Sequence, residues 1–151
     1  MEESIQELTV GETGTVAADR PRLSDIREEW CWVKEGVEKI LNDNPQYTYR
    51  PEDVYAACVS GQAQLWTTSE GFVVTSGELD QFSGDKSCLI WLAYAHELGA
   101  KLVVKYVDFF EKAATEAGYD RLEVRTAVPE LGEYVLGQGW RLDTVVYSRE
   151  L

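Results

Sequence analysis

The sequence has a single histidine, His96, and three cysteines set far apart, Cys31, Cys58 and Cys88. With one imidazole and no Cys-x-x-Cys pair, a zinc quartet of the Cys/His kind cannot be assembled. Three widely spaced cysteines do not read as a disulfide framework, so free and mostly buried thiols in a reducing compartment are expected. Basic residues are also scarce: 14 Lys and Arg stand against 27 Asp and Glu, for a formal net charge of -13. Such a surface repels nucleic-acid phosphates and anionic lipid, so neither is expected as a partner. The acids are spread along the chain, as on a solvated face, rather than clustered as in a metal site. No apolar run is long enough to span a bilayer. The opening "MEESIQELTV" lacks the apolar segment of a secretory leader. The expected location is the cytoplasm.

What is present fits a globule. The 151 residues are 44% hydrophobic and include five tryptophans, enough for a core and too apolar for a disordered chain. Residues 1–21 read as a turn-rich, polar lead with at most a short strand at Ile5–Val10, and residues 22–151 as one domain. From Ser24, a candidate N-cap, Ile26, Trp30, Val33, Val37, Ile40 and Leu41 recur at helical spacing until "NDNP". Pro51, with Glu52 and Asp53 behind it, opens a second helix that Gly61 stops. "AQLWTT" and "FVVTSGEL", joined by "SEG", predict an antiparallel hairpin. "SCLIWLAYA" is a nearly unbroken apolar run, as in a strand buried on both faces. A long helix follows, its inner face carrying Val103, Tyr106, Phe110, Ala113, Ala114 and Ala117, with Gly118 as its cap. "RLEVRTA" alternates as a strand, "PELGEYVLGQG" is a short helix, and "WRLDTVVYSREL" alternates again as a closing strand.

The order is helix, helix, hairpin, strand, helix, strand, helix, strand. The strand–helix–strand unit has the length of a crossover, which makes its strands parallel. The predicted class is α/β, in the layered α+β sense: a mixed, mostly antiparallel sheet with one parallel βαβ crossover and helices on both faces.

This order, the turn "HELGAK" and the ending "LGQGWRLDTVVYSREL" together resemble the GNAT acyltransferase superfamily over about residues 24 to 151. The lead-in "PEDVYAACVSGQAQLW" has the cast of GNAT-like proteins from tailed phages. The resemblance implies a central strand that splays from its neighbour, with acetyl-coenzyme A in the opening. It implies a pyrophosphate held at the turn, on Leu98, Gly99, Ala100 and Lys101, and pantetheine along Leu92, Ala93 and Tyr94. The acceptor would be an amine, on a small molecule or a protein. The chain departs from the pattern at several positions. His96 replaces the usual Gln or Arg, and Lys101 replaces the second small residue of the turn. Val135 falls where a tyrosine acid is usual, with Tyr134 beside it. "SCLIWLAYA" carries no carboxylate base.

The residues themselves leave alternatives open. A helix N-terminus offers unpaired N–H groups and a positive dipole end, which suits an anion. Lys101 and Lys105, at i and i+4 in the first turns, oppose that dipole and each other, and a phosphate would relieve both conflicts. Exposed lysines tolerate such small costs equally well, and Glu97 or Asp108 could pair with them. His96 serves as a candidate base near neutral pH or as a hydrogen-bonded strand-end residue. Tyr134 serves as a candidate acid or as a core-rim residue. Two functions remain: an N-acyltransferase acting by direct attack of an amine on the thioester, and a catalytically degenerate binding protein of the same fold, virion- or host-directed. Oligomeric state is not legible.

Overall fold

The computed structural model describes residues 20–96 and 99–151. The order is β1 (Arg22–Ser24), α1 (Ile26–Asp43), α2 (Pro51–Ser60), β2 (Ala63–Thr67), β3 (Gly71–Leu79), β4 (Lys86–Ala95), α3 (Gly99–Glu116), β5 (Arg121–Val124) and α4 (Pro129–Gly137). The strands form one sheet in the order β1-β2-β3-β4-β5. Every pairing is antiparallel except β4 with β5, which is parallel across the α3 crossover. The expected class, hairpin and crossover are all present.

The starts of α1 and α2 lie within a residue of where the sequence puts them. Asp25, not Ser24, caps α1: its carboxylate accepts from the Arg27 amide at 2.9 Å. Pro51 sits in the first turn of α2, and Asp53 accepts the Arg50 amide at 2.8 Å. Gly61 ends α2 with φ +87° and Gly118 follows α3 with φ +86°, a conformation that side chains with a Cβ disfavour.

The sheet separates two apolar layers. On one face α1 and α2 bury Ile26, Val33, Val37 and Val54 against Leu65, Phe72, Val74 and Leu92. On the other, α3 and α4 bury Leu102, Val103, Tyr106, Phe110, Leu131 and Val135 against Val73 and Ile90. The buried face of α3 also takes in Leu102 and Val107, while Ala117 is exposed. The backbone is non-helical at Tyr106 (φ -116°, ψ 15°), so the apolar stripe changes phase there.

Three expectations need correction. Residues 140–151 form no strand: they run as irregular, mostly exposed chain, and β5 ends the sheet. Alternation makes a segment fit to pair, but a strand exists only where a partner edge lies alongside it. The three-residue β1, paired with Leu65–Thr67 of β2, was absent from the sequence reading because three residues carry no period. Cys31 is exposed rather than buried, since it falls on the outer side of α1. The suggested strand at Ile5–Val10 lies outside the described residues.

Candidate active site

Strand β4 changes character at Trp91. Its partners on β3 run Leu89↔Ser76, Ile90↔Thr75, then Leu92↔Val74, so Trp91 is an extra residue without a partner. This is a β-bulge. Its effect on the side chains is visible in the core. Ile90, Ala93 and Ala95 pack towards α3, whereas both Trp91 and Leu92 pack towards α1. Pairing with β5 stops at the same point: Ile90↔Val124 is the last pair, and from Trp91 to Ala95 β4 runs on paired with β3 alone, among the described strands.

Backbone atoms pack closely along this end of β4. The carbonyl of Tyr94 faces Gly71 of β3, since a Cβ on Gly71 would stand 1.8 Å from that oxygen. Carbonyls alternate along a strand, so that of Ala93 faces the open side. There it meets the first residue of α3, where a Cβ on Gly99 would lie 1.9 Å from the Ala93 oxygen. Gly99 does not have a positive φ. What calls for glycine at this place is the close approach of helix to strand. The start of α3 is thereby set beside the β5-side edge of β4. Leu92 is buried, Ala93 and Tyr94 are half-buried, and Lys101 is exposed. Leu98 lies outside the described residues, and of Ala100 only the helical backbone is described.

The lysines of α3 are not an unrelieved pair. Lys105 Nζ donates to Glu70 Oε2 at 2.8 Å, which ties α3 to the β2–β3 turn. That carboxylate raises the Lys105 pKa above its ordinary value. The dipole conflict of Lys105 is therefore met by Glu70, from a turn that sequence spacing did not suggest.

His96 and Tyr134 stand apart from the point where the strands part. His96 is exposed, its amide donates to the Glu70 carbonyl at 3.3 Å, and its ring meets Tyr94 at 6.2 Å. At ~3.3 Å per residue it lies about 16 Å along the strand from Trp91. Tyr134 is half-buried against the α3–α4 layer, and its neighbour Val135 is buried.

A cavity of about 510 Å³ lies at the bulge, on the side of the α1–α2 connection. Tyr47, Tyr49 and Trp91 supply aromatic walls, and Glu78 and Arg125 supply charge. The rings of Tyr47 and Tyr49 stack at 5.7 Å, and Tyr49 meets Trp91 at 5.3 Å. Burial, with Tyr47 beside it, pushes the Tyr49 phenol up to about 12, so it stays a neutral donor at ordinary pH. Arg125 lies just past β5 and bridges Glu78 of β3 at 2.8 Å and Glu123 of β5 at 3.3 Å. The sequence reading passed over these residues. The two tyrosines of "NPQYTYR" were the one signal available, an aromatic pair in an otherwise polar connection. Burial raises the Cys58 thiol to about 11 and also raises Cys88, as expected of inert thiols.

No protein-family model matches the sequence, and no curated protein matches it. Solved structures do match. A ribosomal-protein-alanine N-acetyltransferase from Brucella melitensis biovar Abortus 2308 is 19% identical, with TM-score 0.61, over 89% of this chain and 100% of that one. An aminoglycoside acetyltransferase from an uncultured soil metagenomic sample, solved with sisomicin, is 11% identical with TM-score 0.56, over 88% and 96%. The fold is that of the GNAT acetyltransferases. A transcriptional regulator from Bacillus halodurans C-125 shares it too, at 12% identity and TM-score 0.62, over 89% and 100%. Chains of differently described roles share the fold, so what this chain does rests on its own residues.

Proposed function

We propose that the protein is an acyl-coenzyme A-dependent N-acyltransferase. The observation that carries this reading is the open length of β4, Trp91–Ala95, which begins at the bulge and ends beside the start of α3. A strand paired on one edge only needs hydrogen-bond partners for its other edge from elsewhere. The two amide groups of a pantetheine chain fit that need. Gly99 lets the start of α3 rest against the Ala93 carbonyl, which sets the helix end beside this strand edge. The amides at the start of α3, with Lys101, would hold the pyrophosphate.

In this arrangement the thioester lies near Trp91 and the acceptor amine enters from the Tyr49 cavity. The amine nitrogen attacks the thioester carbonyl, a C–N bond forms, the C–S bond breaks, and the coenzyme A thiol leaves with a proton. This chain's part is to align the two reactants and exclude water. Backbone N–H groups at the bulge polarise the carbonyl. Tyr49 and Trp91 orient the acceptor, which attacks as the neutral amine. His96, past the end of β4, is assigned to the pyrophosphate end rather than to proton transfer, and Tyr134 to the wall of the α4 layer.

The test is calorimetric titration with acetyl-coenzyme A, followed by thiol release with a panel of primary amines. Binding with amine-dependent thiol release is expected. Binding without release from any amine favours the binding-protein reading. Absence of binding at millimolar ligand and low salt removes the acyl-coenzyme A assignment.

A further inference from the structure

We propose that the cavity at the bulge takes a flat, uncharged aromatic ring, and that the acceptor is therefore an aryl amine, its nitrogen bound directly to that ring. The inference deepens the acyltransferase reading and rests on it for its chemistry. The first observation is the wall. Tyr47 and Tyr49 are half-buried and stack at 5.7 Å, with their planes 23° apart. Trp91 extends the wall, meeting Tyr49 at 5.3 Å. Tyr49 and Trp91 also pack against the α1–α2 core, which holds both rings in place. Ala57, Ser76 and Gly77 share the lining, and their short side chains leave space beside the rings. The volume, about 510 Å³, is that of a small-molecule site. A ligand ring entering there gains stacked and edge-to-face partners.

The second observation is that the charges cancel. Among the described lining residues only Glu78 and Arg125 are charged, and Arg125 donates to Glu78 Oε1 at 2.8 Å. Arg125 also meets Glu123 at 3.3 Å, and Arg121 meets Glu123 at 3.5 Å. These four residues alternate in sign and sum to zero, so a ligand need bring no charge to match them. The third observation is the lack of a base. An alkyl amine, like a lysine side chain, is neutral in only about one molecule in a thousand near neutral pH. Its ammonium form has no lone pair for the attack, so some group must first take the proton. Glu78 faces Arg125, and His96 lies about 16 Å along the strand from Trp91. Burial pushes the Tyr49 phenol up to about 12, so it offers no phenolate. An aryl amine spreads its lone pair into the ring, stays neutral at that pH and needs no base before it attacks. Its nitrogen then bonds to the thioester carbon, and the C–S bond breaks with its electron pair on sulfur. The proton lost from nitrogen goes to that thiolate. The products are an anilide and the coenzyme A thiol.

The experiment has two arms. In the first, the full chain with coenzyme A present is titrated calorimetrically with acetanilide and with N-cyclohexylacetamide, two neutral amides that differ in the flatness of one ring. Acetanilide should bind at least tenfold tighter. Tyr49→Phe, which keeps the aromatic ring, should retain that preference, and Tyr49→Leu should lose it. Tyr47→Leu, outside both core clusters, should weaken acetanilide binding as well. In the second arm, thiol release from acetyl-coenzyme A is followed with aniline, benzylamine and cyclohexylamine at neutral pH. The kcat/KM for aniline should exceed each of the others at least tenfold. Equal binding of the two amides overturns the proposal, whether or not any transfer occurs. Thiol release from benzylamine or cyclohexylamine as fast as from aniline also overturns it, and leaves the acyltransferase reading standing. A preference for acetanilide without thiol release from any amine upholds the ring in the cavity and overturns the transfer reading, with the acceptor assignment that rests on it.

Discussion

Adding one methyl group at Gly99 tests the site and its scaffold together. An alanine Cβ there would stand 1.9 Å from the Ala93 oxygen and 2.6 Å from its carbonyl carbon. Both are backbone atoms of a central strand and cannot rotate away, so the start of α3 must move by more than an ångström. Overpacking of this kind costs about 1–3 kcal/mol. Set against that, alanine gains up to about 1 kcal/mol over glycine in a helix and in the unfolded chain. Gly132 in α4 isolates the second effect, because a Cβ there meets nothing within 4 Å and its φ is not positive. Gly132→Ala should therefore stabilise by about 0.5–1 kcal/mol. Gly99→Ala should destabilise by up to about 2 kcal/mol, the net of the overpacking cost and the propensity gain. Urea midpoints at constant m-value read both changes. Displacing α3 also moves its first amides, so Gly99→Ala should weaken acetyl-coenzyme A binding more than tenfold while Gly132→Ala leaves it unchanged. If Gly99→Ala raises the midpoint as Gly132→Ala does, α3 does not rest on Ala93, and the geometry of the site is wrong.

Lys101→Ala, at an exposed position, should leave the urea midpoint within about 0.5 kcal/mol of wild type and lower affinity for coenzyme A, read by calorimetry. Tyr49 has a folded pKa raised from about 10 to about 12, so its contribution to stability is full below pH 10 and is lost as pH rises towards 12. Ultraviolet titration should show one phenolate appearing late in wild type and absent in Tyr49→Phe, whose stability should fall less over that interval. Phe110→Ala, at a residue 2% exposed, should cost about 3–5 kcal/mol, whereas Phe82→Ala, at 98% exposure, should change the thermal midpoint little.

Most of the layer order was legible in the sequence because it rests on local periods. Val33 and Val37 repeat at helical spacing, and the crossover length between β4 and β5 forces parallel strands. The bulge was not legible. "SCLIWLAYA" is apolar on both faces, so no alternation exists whose interruption could mark Trp91. The turn drew attention to Gly99, but the contact that calls for glycine there, the Ala93 carbonyl, is nonlocal. The Tyr49–Trp91 and Glu78–Arg125 contacts join residues tens of positions apart in the sequence, which local spacing cannot bring together. Residues 140–151 show the converse limit. Their alternation is plain, and whether it becomes a strand depends on an edge elsewhere.

The single unpaired residue at Trp91 divides β4 into two half-strands of opposite phase. Deleting any one residue from Ile90 to Leu92 would be a small change in length but a large one in topology. The alternation would become continuous with Ala93 and Ala95 still on the α3 side, and β4 would lose the irregularity at which its pairing with β5 ends. The cavity of this protein is thus encoded less by which residues line it than by the count of residues in one strand, and a one-codon deletion would erase it without removing any charged group.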